Sequence, residues 1–117
     1  MAVAYNIVID QGADYFLNVT YDNPDGTPVN ITGYTAEMQI RVNPNSPTAV
    51  LTLTSGSGIT ITGSTGLIAI RATAAQTRAI DEGPYVYDLE ITAPQTGVVT
   101  RIIQGQALVS AEVTRSG

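Results

Sequence analysis

Two-residue alternation of apolar and polar side chains is the feature that most constrains the fold of this chain. In residues 35–42 the even positions are apolar and the odd positions are polar. The same period recurs in 15–21, 85–92 and 107–113. Because successive side chains of a strand point to opposite faces, each segment is predicted to be a strand buried chiefly on one side. Such a pattern is typical of antiparallel sheets.

Turn-forming residues separate these segments at short intervals. Gly, Pro, Asn, Asp and Ser, which favour tight turns, cluster in residues 23–26, 43–47, 55–58, 63–66 and 94–97. Eight or nine short strands between such turns predict an all-β fold, a single antiparallel β-sandwich. The predicted strands lie near residues 4–10, 14–22, 33–42, 49–54, 58–62, 66–72, 84–93, 97–104 and 106–113.

One segment departs from the strand pattern. Residues 74–80 favour one or two helical turns, which Thr73 is able to cap at the start and Gly83 is able to end. With 117 residues the chain is long enough for one two-layer core and too short for two. We therefore predict one β-sandwich domain over residues 1–117.

The amino-acid composition excludes most catalytic templates. The chain has no His, Cys, Lys or Trp, so an imidazole base, a thiolate nucleophile and a Cys or His metal ligand are all missing. Five arginines, a net charge of −5 and no basic cluster argue against nucleic-acid binding. No apolar run approaches the roughly 20 residues of a membrane-spanning helix. We expect a protein without enzymatic activity, cofactor, nucleic acid or membrane.

Two groups of acidic residues have simple structural interpretations. Residues 22–26 carry oxygen ligands but lack the later Glu of an EF-hand, so a plain turn is favoured over a calcium site. Asp88 and Glu90 lie two apart on one strand face, and with residues 81–82 they suggest paired carboxylates for glycoside hydrolysis. Pairing with Arg101 on the next strand is the favoured alternative. Calcium and a bound glycan remain open alternatives.

Loops, termini and an uncharged hairpin are the predicted interaction surfaces. Residues 51–62 combine sparse charge with high β propensity, so they are expected to form an exposed edge that pairs with another chain. Loops and termini are what a small sandwich offers to neighbours without disturbing its core. The predicted interface residues are Tyr5, Asn43, Pro44, Asn45, Ser46 and Arg115, together with the 55–66 hairpin.

The six tyrosines divide into two groups. Tyr5 and Tyr34 flank turns or the first strand and are freer to sit in an interface. The other four fall on apolar strand faces, where a core or sheet-rim position is favoured over a sugar-binding platform. These four are Tyr15, Tyr21, Tyr85 and Tyr87.

Four phrases carry a family resemblance: residues 11–16, 31–41, 85–91 and 113–115. In this order and spacing the chain resembles small all-β proteins of tailed bacteriophage virions, related in pattern to the immunoglobulin-like N-terminal domain of baseplate upper proteins. The resemblance implies an immunoglobulin-like sandwich. Since such a domain often precedes a longer fibre and this chain stops at Gly117, any fibre is expected to be another chain or absent.

The same resemblance implies a non-enzymatic function. The chain is expected to be a virion structural protein, made in the host bacterial cytoplasm, that contacts other virion proteins as a homo-oligomer. A tail, baseplate or fibre-joining assembly is the first choice. A capsid cement or decoration protein that bridges capsomers is the close alternative, and a carbohydrate-binding module is the third.

Overall fold

Strands of one curled, mixed sheet account for most of residues 3–113, the part of the chain that the computed structural model describes. The all-β prediction is confirmed. A 3-10 turn at Gly63–Thr65 and one short helix, α1 (Ala74–Arg78), interrupt the strands within this range. The strands are β1 (Val3–Ala4), β2 (Ile7–Asp10), β3 (Tyr15–Thr20), β4 (Thr35–Arg41), β5 (Leu51–Ser55), β6 (Gly58–Thr62), β7 (Leu67–Ala72), β8 (Gly83–Thr92) and β9 (Val99–Ser110).

The strands follow a single path through the sheet. Their order is β1-β9-β8-β4-β5-β6-β7-β3, and β2 also pairs with β9. β1 and β2 run parallel to β9, and β5 meets β6 in a short parallel contact, whereas the other ladders are antiparallel. The prediction of a wholly antiparallel sheet is therefore wrong. Alternation identifies a strand and its buried face, but it carries no information on the direction of the neighbour.

Two predicted strand boundaries also differ from the structure. Residues 4–10 form two strands, because the Asn6 side chain takes a place in the ladder by accepting the Gln106 N–H at 3.0 Å. The predicted break at residue 105 does not exist, since β9 runs through it. A Cβ at Gly105 would overlap the Tyr5 carbonyl oxygen, so this glycine marks a close approach of two backbones and not a turn.

The core lies on the concave face of the curled sheet. Its side chains come from alternate positions along the strands, as the two-residue period requires. Leu89 is at the centre, fully buried and paired in register with Met38 on β4 and Ile103 on β9. The largest fully buried apolar side chains are Ile9, Ile31, Met38, Ile40, Leu53, Ile59, Ile68, Ile70, Leu89, Ile91 and Val109.

Helix α1 is held at both its ends and its middle. Thr73 accepts the Gln76 N–H at 3.2 Å while the Gln76 side chain accepts the Thr73 N–H at 2.9 Å, so the predicted cap is confirmed as a reciprocal capping box. The helix ends with Ala79 as its C-cap, so the prediction that Gly83 ends it is wrong. Buried Thr77 accepts the Gly12 N–H at 3.0 Å, which ties the helix to the β2–β3 turn.

A side-chain hydrogen bond also holds the start of β8 in place. The Tyr85 hydroxyl donates to the Asp81 carbonyl, four residues upstream, at 2.7 Å. Tyr85 and Tyr87 are buried and Tyr15 and Tyr21 are half-buried. All four tyrosines predicted to lie in the core or at the sheet rim are therefore found there.

Candidate interaction surfaces

The two ends of the strand path face each other across an open groove of about 590 Å³, which we name the seam groove. One wall consists of residues 17–22, from β3 and the residues that follow it. The other wall consists of Val3, Tyr5 and residues 100–103. The curled sheet therefore stops short of closing, and the opening falls between β3 and the β1–β9 pair.

The edge of β3 that faces away from β7 is unpaired in the part of the chain that the structure describes. Tyr21 donates its N–H to the Gly66 carbonyl at 2.8 Å, one step beyond the β3–β7 ladder. Hydrogen-bonded pairs alternate with non-bonded pairs along an antiparallel ladder. The backbone N–H and C=O groups of Phe16, Asn18 and Thr20 therefore point away from β7, toward the open side.

The inward side chains of β3 are incompletely covered. Leu17 and Val19 are only half-buried, whereas Ile68 and Ile70, their cross-strand partners on β7, are at most 1% exposed. Since these neighbours lie on the same face of the sheet, the difference arises from the missing strand beside β3. The apolar core is thus open along this edge.

Tyr5 lies on the opposite wall of the seam groove and is held through its backbone. Its N–H donates to the Gln104 carbonyl at 2.8 Å, and its carbonyl accepts the Tyr87 hydroxyl at 2.5 Å. The Tyr5 side chain stays 52% exposed. Burial raises the pKa of Tyr87 to about 12 and that of Tyr15 to about 12, and the nearby Tyr5 adds to both shifts. The predicted interface residue Tyr5 therefore sits on a rigid support.

Two charged side chains, Asp22 and Arg101, line the seam groove. Arg101 pairs with Asp88 at 3.4 Å and Glu90 at 3.9 Å, which confirms the predicted cross-strand pairing. Asp22 accepts the Thr20 hydroxyl at 3.4 Å and has no ion-pair partner within residues 3–113. The charge of Arg101 is thus offset by two carboxylates outside the groove lining, whereas Asp22 stays without a counter-ion among the described residues.

Phe16 lies on the outer face of β3, beside the same free edge. It is 65% exposed, and the Arg71 guanidinium stands 5.5 Å from its ring centroid. Arg71 also pairs with Asp14 at 3.4 Å. Exposed aromatic and Arg side chains are enriched at protein interfaces. The two-residue alternation in 15–21 puts Phe16 on the face that carries Asn18 and Thr20, and the chain's one phenylalanine at such a position was an available signal of an interface.

The predicted loop interface is exposed but is separate from the seam groove. The Asn43 side chain accepts the Asn45 N–H at 3.0 Å, and the Arg41 guanidinium donates to the Ser46 carbonyl at 2.8 Å. Pro44 lines a second groove of about 450 Å³ on the outer face of β4, β8 and β9. The structure therefore does not bring the loop together with Tyr5. Arg115 lies outside the described residues.

The prediction that residues 51–62 form an exposed edge stays a prediction. Among the described residues β5 and β6 meet only where Thr54 pairs with Gly58 and Ser55 with Ile59, so most of each strand has a ladder on one side alone. β5 pairs with β4 and β6, and β6 pairs with β5 and β7. Leu53 and Ile59 point into the core and are at most 2% exposed. Sparse charge and high β propensity mark interior strands as well as edges, so these signals did not locate the edge at β3.

Residues 22–26, the first of the acidic groups, lie in a turn. The Asp25 carboxylate accepts the Thr27 N–H at 2.9 Å within a turn, and hydrogen bonds from Thr27 lower the pKa of Asp25. Within residues 3–113, no group of three or more Asp, Glu, His or Cys side chains is placed to hold a metal ion. In the same range, no helix has the length and apolarity to cross a membrane.

No protein-family model matches this chain, and no curated protein is significantly similar to it.

Proposed function

We propose that this chain is a non-enzymatic structural protein of a tailed-bacteriophage virion, which joins neighbouring proteins, as a homo-oligomer, in a tail, baseplate or fibre-joining assembly. One observation carries the binding role: the free edge of β3 lies beside half-buried Leu17 and Val19 in the seam groove. The virion setting rests on the sequence resemblance.

The chemistry of β3 supports a partner at this edge. Free edges are usually protected by charged side chains, by proline or by a bulge, because an unprotected edge pairs with other chains. Residues 15–20 contain neither a charge nor a proline, and their register with β7 is regular. An edge of this kind suits a protein that occupies a permanent place in an assembly.

We also propose that the fold is an immunoglobulin-like sandwich. In the variable type of that fold, strands G, F, C and C′ form one layer while A, B, E and D form the other. The order β9-β8-β4-β5 matches the first layer, and β6-β7-β3 matches D, E and B. The Tyr85 hydroxyl bond to the Asp81 carbonyl resembles the tyrosine corner at the start of strand F. An experimental structure with no face-to-face packing of these two layers would contradict the proposal.

Immunogold microscopy of particles from the encoding phage tests the function. We expect label on the tail, its tip or its collar. Label spread over the head would replace this proposal with the capsid decoration alternative, in which the protein bridges capsomers. Particles without label, under conditions where a known virion protein is labelled, would overturn the virion function.

One observation favours a carbohydrate-binding module as the second candidate. Tyr5 and Tyr21 both line the seam groove, with Asn18, Asp22 and Arg101 among the polar groups beside them. Aromatic rings stack on the apolar faces of sugars while polar groups bind their hydroxyls. Saturable binding of host cell-wall polysaccharide, lost in Tyr21→Ala, would support this candidate.

A further inference from the structure

We propose that the seam groove binds an extended, positively charged segment of a different protein, which adds to the free edge of β3 as a further strand. This inference rests on the proposed function and names the kind of partner through which the chain is joined to its neighbours.

The backbone of β3 supplies the hydrogen bonds. The N–H and C=O groups of Phe16, Asn18 and Thr20 point to the open side, as the position of the Tyr21 bond in the β3–β7 ladder requires. An extended segment beside them continues the ladder at the ordinary strand spacing of about 4.8 Å. Strand addition to an exposed sheet edge is an established way to bind a peptide.

The sheet position beside β3 is one that an immunoglobulin-like sandwich normally fills from its own chain. In that fold strand A pairs with strand B. Here β1 and β2, the strands that precede β3, both pair with β9. The turn between β2 and β3 is held to α1 by the bond from Gly12 N–H to Thr77. The described N-terminal strands are thus committed elsewhere, so the position beside β3 is open to a strand from another chain.

The groove also offers apolar surface for the inward side chains of that strand. Leu17 and Val19 are half-buried on one wall, and Ile102 stands on the other. A strand with apolar residues at alternate positions would cover these side chains and complete the core along the edge, which is the driving force of burial.

Charge identifies the partner as a different, basic chain. Arg101 in the groove is already paired with Asp88 and Glu90, which lie outside the lining, whereas Asp22 in the groove has no ion-pair partner within residues 3–113. A second copy of this chain brings a further net charge of −5. Antiparallel pairing of two β3 strands centred on Asn18 would also place Asp14 of each copy opposite Asp22 of the other, and like charges in cross-strand pairs are destabilising.

Peptide binding to the isotope-labelled full chain, followed by nuclear magnetic resonance, tests the proposal. The probe is the blocked peptide Arg-Val-Thr-Val-Thr-Val-Arg, and its matched control replaces both arginines with Glu. We expect the basic peptide to bind, with slowed hydrogen exchange at the amides of Phe16, Asn18 and Thr20. We expect the acidic peptide to bind at least about tenfold more weakly, a difference of about 1.4 kcal/mol.

Variants separate the edge from the rest of the groove. Asn18→Pro removes an N–H that points to the open side and leaves the β7 ladder intact, so it should weaken binding at least about tenfold. Asn18→Ala keeps that N–H and should bind more tightly than Asn18→Pro does, so the pair separates the backbone bond from the loss of the side chain. If Asn18→Pro fails to fold in a thermal melt, Thr20→Pro makes the same change at the next outward position. Asp22→Asn should weaken binding of the basic peptide and reduce its dependence on salt.

Several outcomes would overturn the proposal. Absence of binding at millimolar peptide, equal binding of the acidic peptide, or unchanged binding by a folded proline variant would each do so. Concentration-dependent dimers that Asn18→Pro abolishes would assign the edge to a second copy, and oligosaccharide shifts confined to Tyr5 and Tyr21 would assign the groove to sugars. If the tail is labelled but the peptide does not bind, this inference fails and the proposed function stands. If the peptide binds but the particles carry no label, the proposed virion function fails and the peptide site stands.

Discussion

The Tyr87 hydroxyl donates a hydrogen bond to the backbone carbonyl of Tyr5 at 2.5 Å, across a sequence separation of 82 residues. Tyr87 belongs to β8 at the centre of the sheet, and Tyr5 lies between β1 and β2 at its edge. This contact adds to the β1 and β2 ladders in holding the N-terminal segment against β9. It also fixes the wall of the seam groove from which the Tyr5 ring projects.

Tyr87→Phe should lower the free energy of unfolding by about 1 kcal/mol, because it removes the hydroxyl and leaves the Tyr5 carbonyl without that donor. Hydrogen exchange at the Tyr5 amide should become faster, since the bond to Gln104 loses its support. Urea unfolding and amide exchange measure the two effects. Tyr34→Phe is the matched control, because the Tyr34 hydroxyl has no hydrogen-bond partner among residues 3–113. Equal effects of the two changes would contradict the role given to Tyr87.

Gly105→Ala should destabilise the chain by about 1–3 kcal/mol, the usual cost of forcing extra atoms into a packed site. The new methyl group would overlap the Tyr5 carbonyl and come within 2.9 Å of the Asn6 side-chain oxygen. Gln106→Ala, at an exposed neighbouring position, keeps the backbone N–H that bonds to Asn6 and should change stability little. Chemical unfolding of both variants measures the difference, and a stable Gly105→Ala would show that the two backbones are less closely packed.

Thr77→Val should cost about 1–3 kcal/mol of stability, because it leaves the Gly12 N–H and the Ala13 carbonyl without the buried hydroxyl that serves both. Thr77→Ser keeps the hydroxyl and loses only a methyl group, so it should recover most of the loss. Thermal unfolding of the pair separates the hydrogen bonds from the packing. If serine were as damaging as valine, packing would be the dominant role of Thr77.

The sequence contained the information on strands and their buried faces. Alternation in residues 35–42 places Met38 and Ile40 in the core, where they are found, and Thr73 caps α1 through a local contact with Gln76. Both features depend on neighbours in the sequence. The cross-strand pairing of Arg101 with Asp88 also followed, because adjacent strands joined by a short turn lie side by side.

Contacts between residues that are distant in sequence could not be predicted from these local patterns. The parallel pairing of β2 with β9 joins residues about 100 positions apart, and no local pattern marks it. The free edge of β3 was not singled out, because an uncharged β-prone segment has the same appearance at an edge and in the interior. Tyr5 was placed in an interface for its position near the terminus, yet its setting depends on Tyr87 and Gly105, which are distant in sequence. Of the candidate site, Tyr5 was therefore predicted from the sequence, whereas β3, which forms the main wall of the seam groove, was not.

Alkaline pH should weaken the fold through two phenols. The pKa of both Tyr15 and Tyr87 is raised to about 12 in the folded chain, first by burial, whereas an unfolded tyrosine ionises near pH 10. A raised folded-state pKa contributes stability that is present below the unfolded value and is lost as pH rises through the folded value. The free energy of unfolding should therefore fall between about pH 10 and about pH 12. Urea unfolding across this range measures the fall. Tyrosinate absorbance should show one late-ionising phenol fewer in Tyr87→Phe than in the wild type, in which burial also raises the pKa of Tyr85. A flat stability profile, or the same number of late phenols in both chains, would mean that Tyr15 and Tyr87 are more exposed to solvent than they are in this structure.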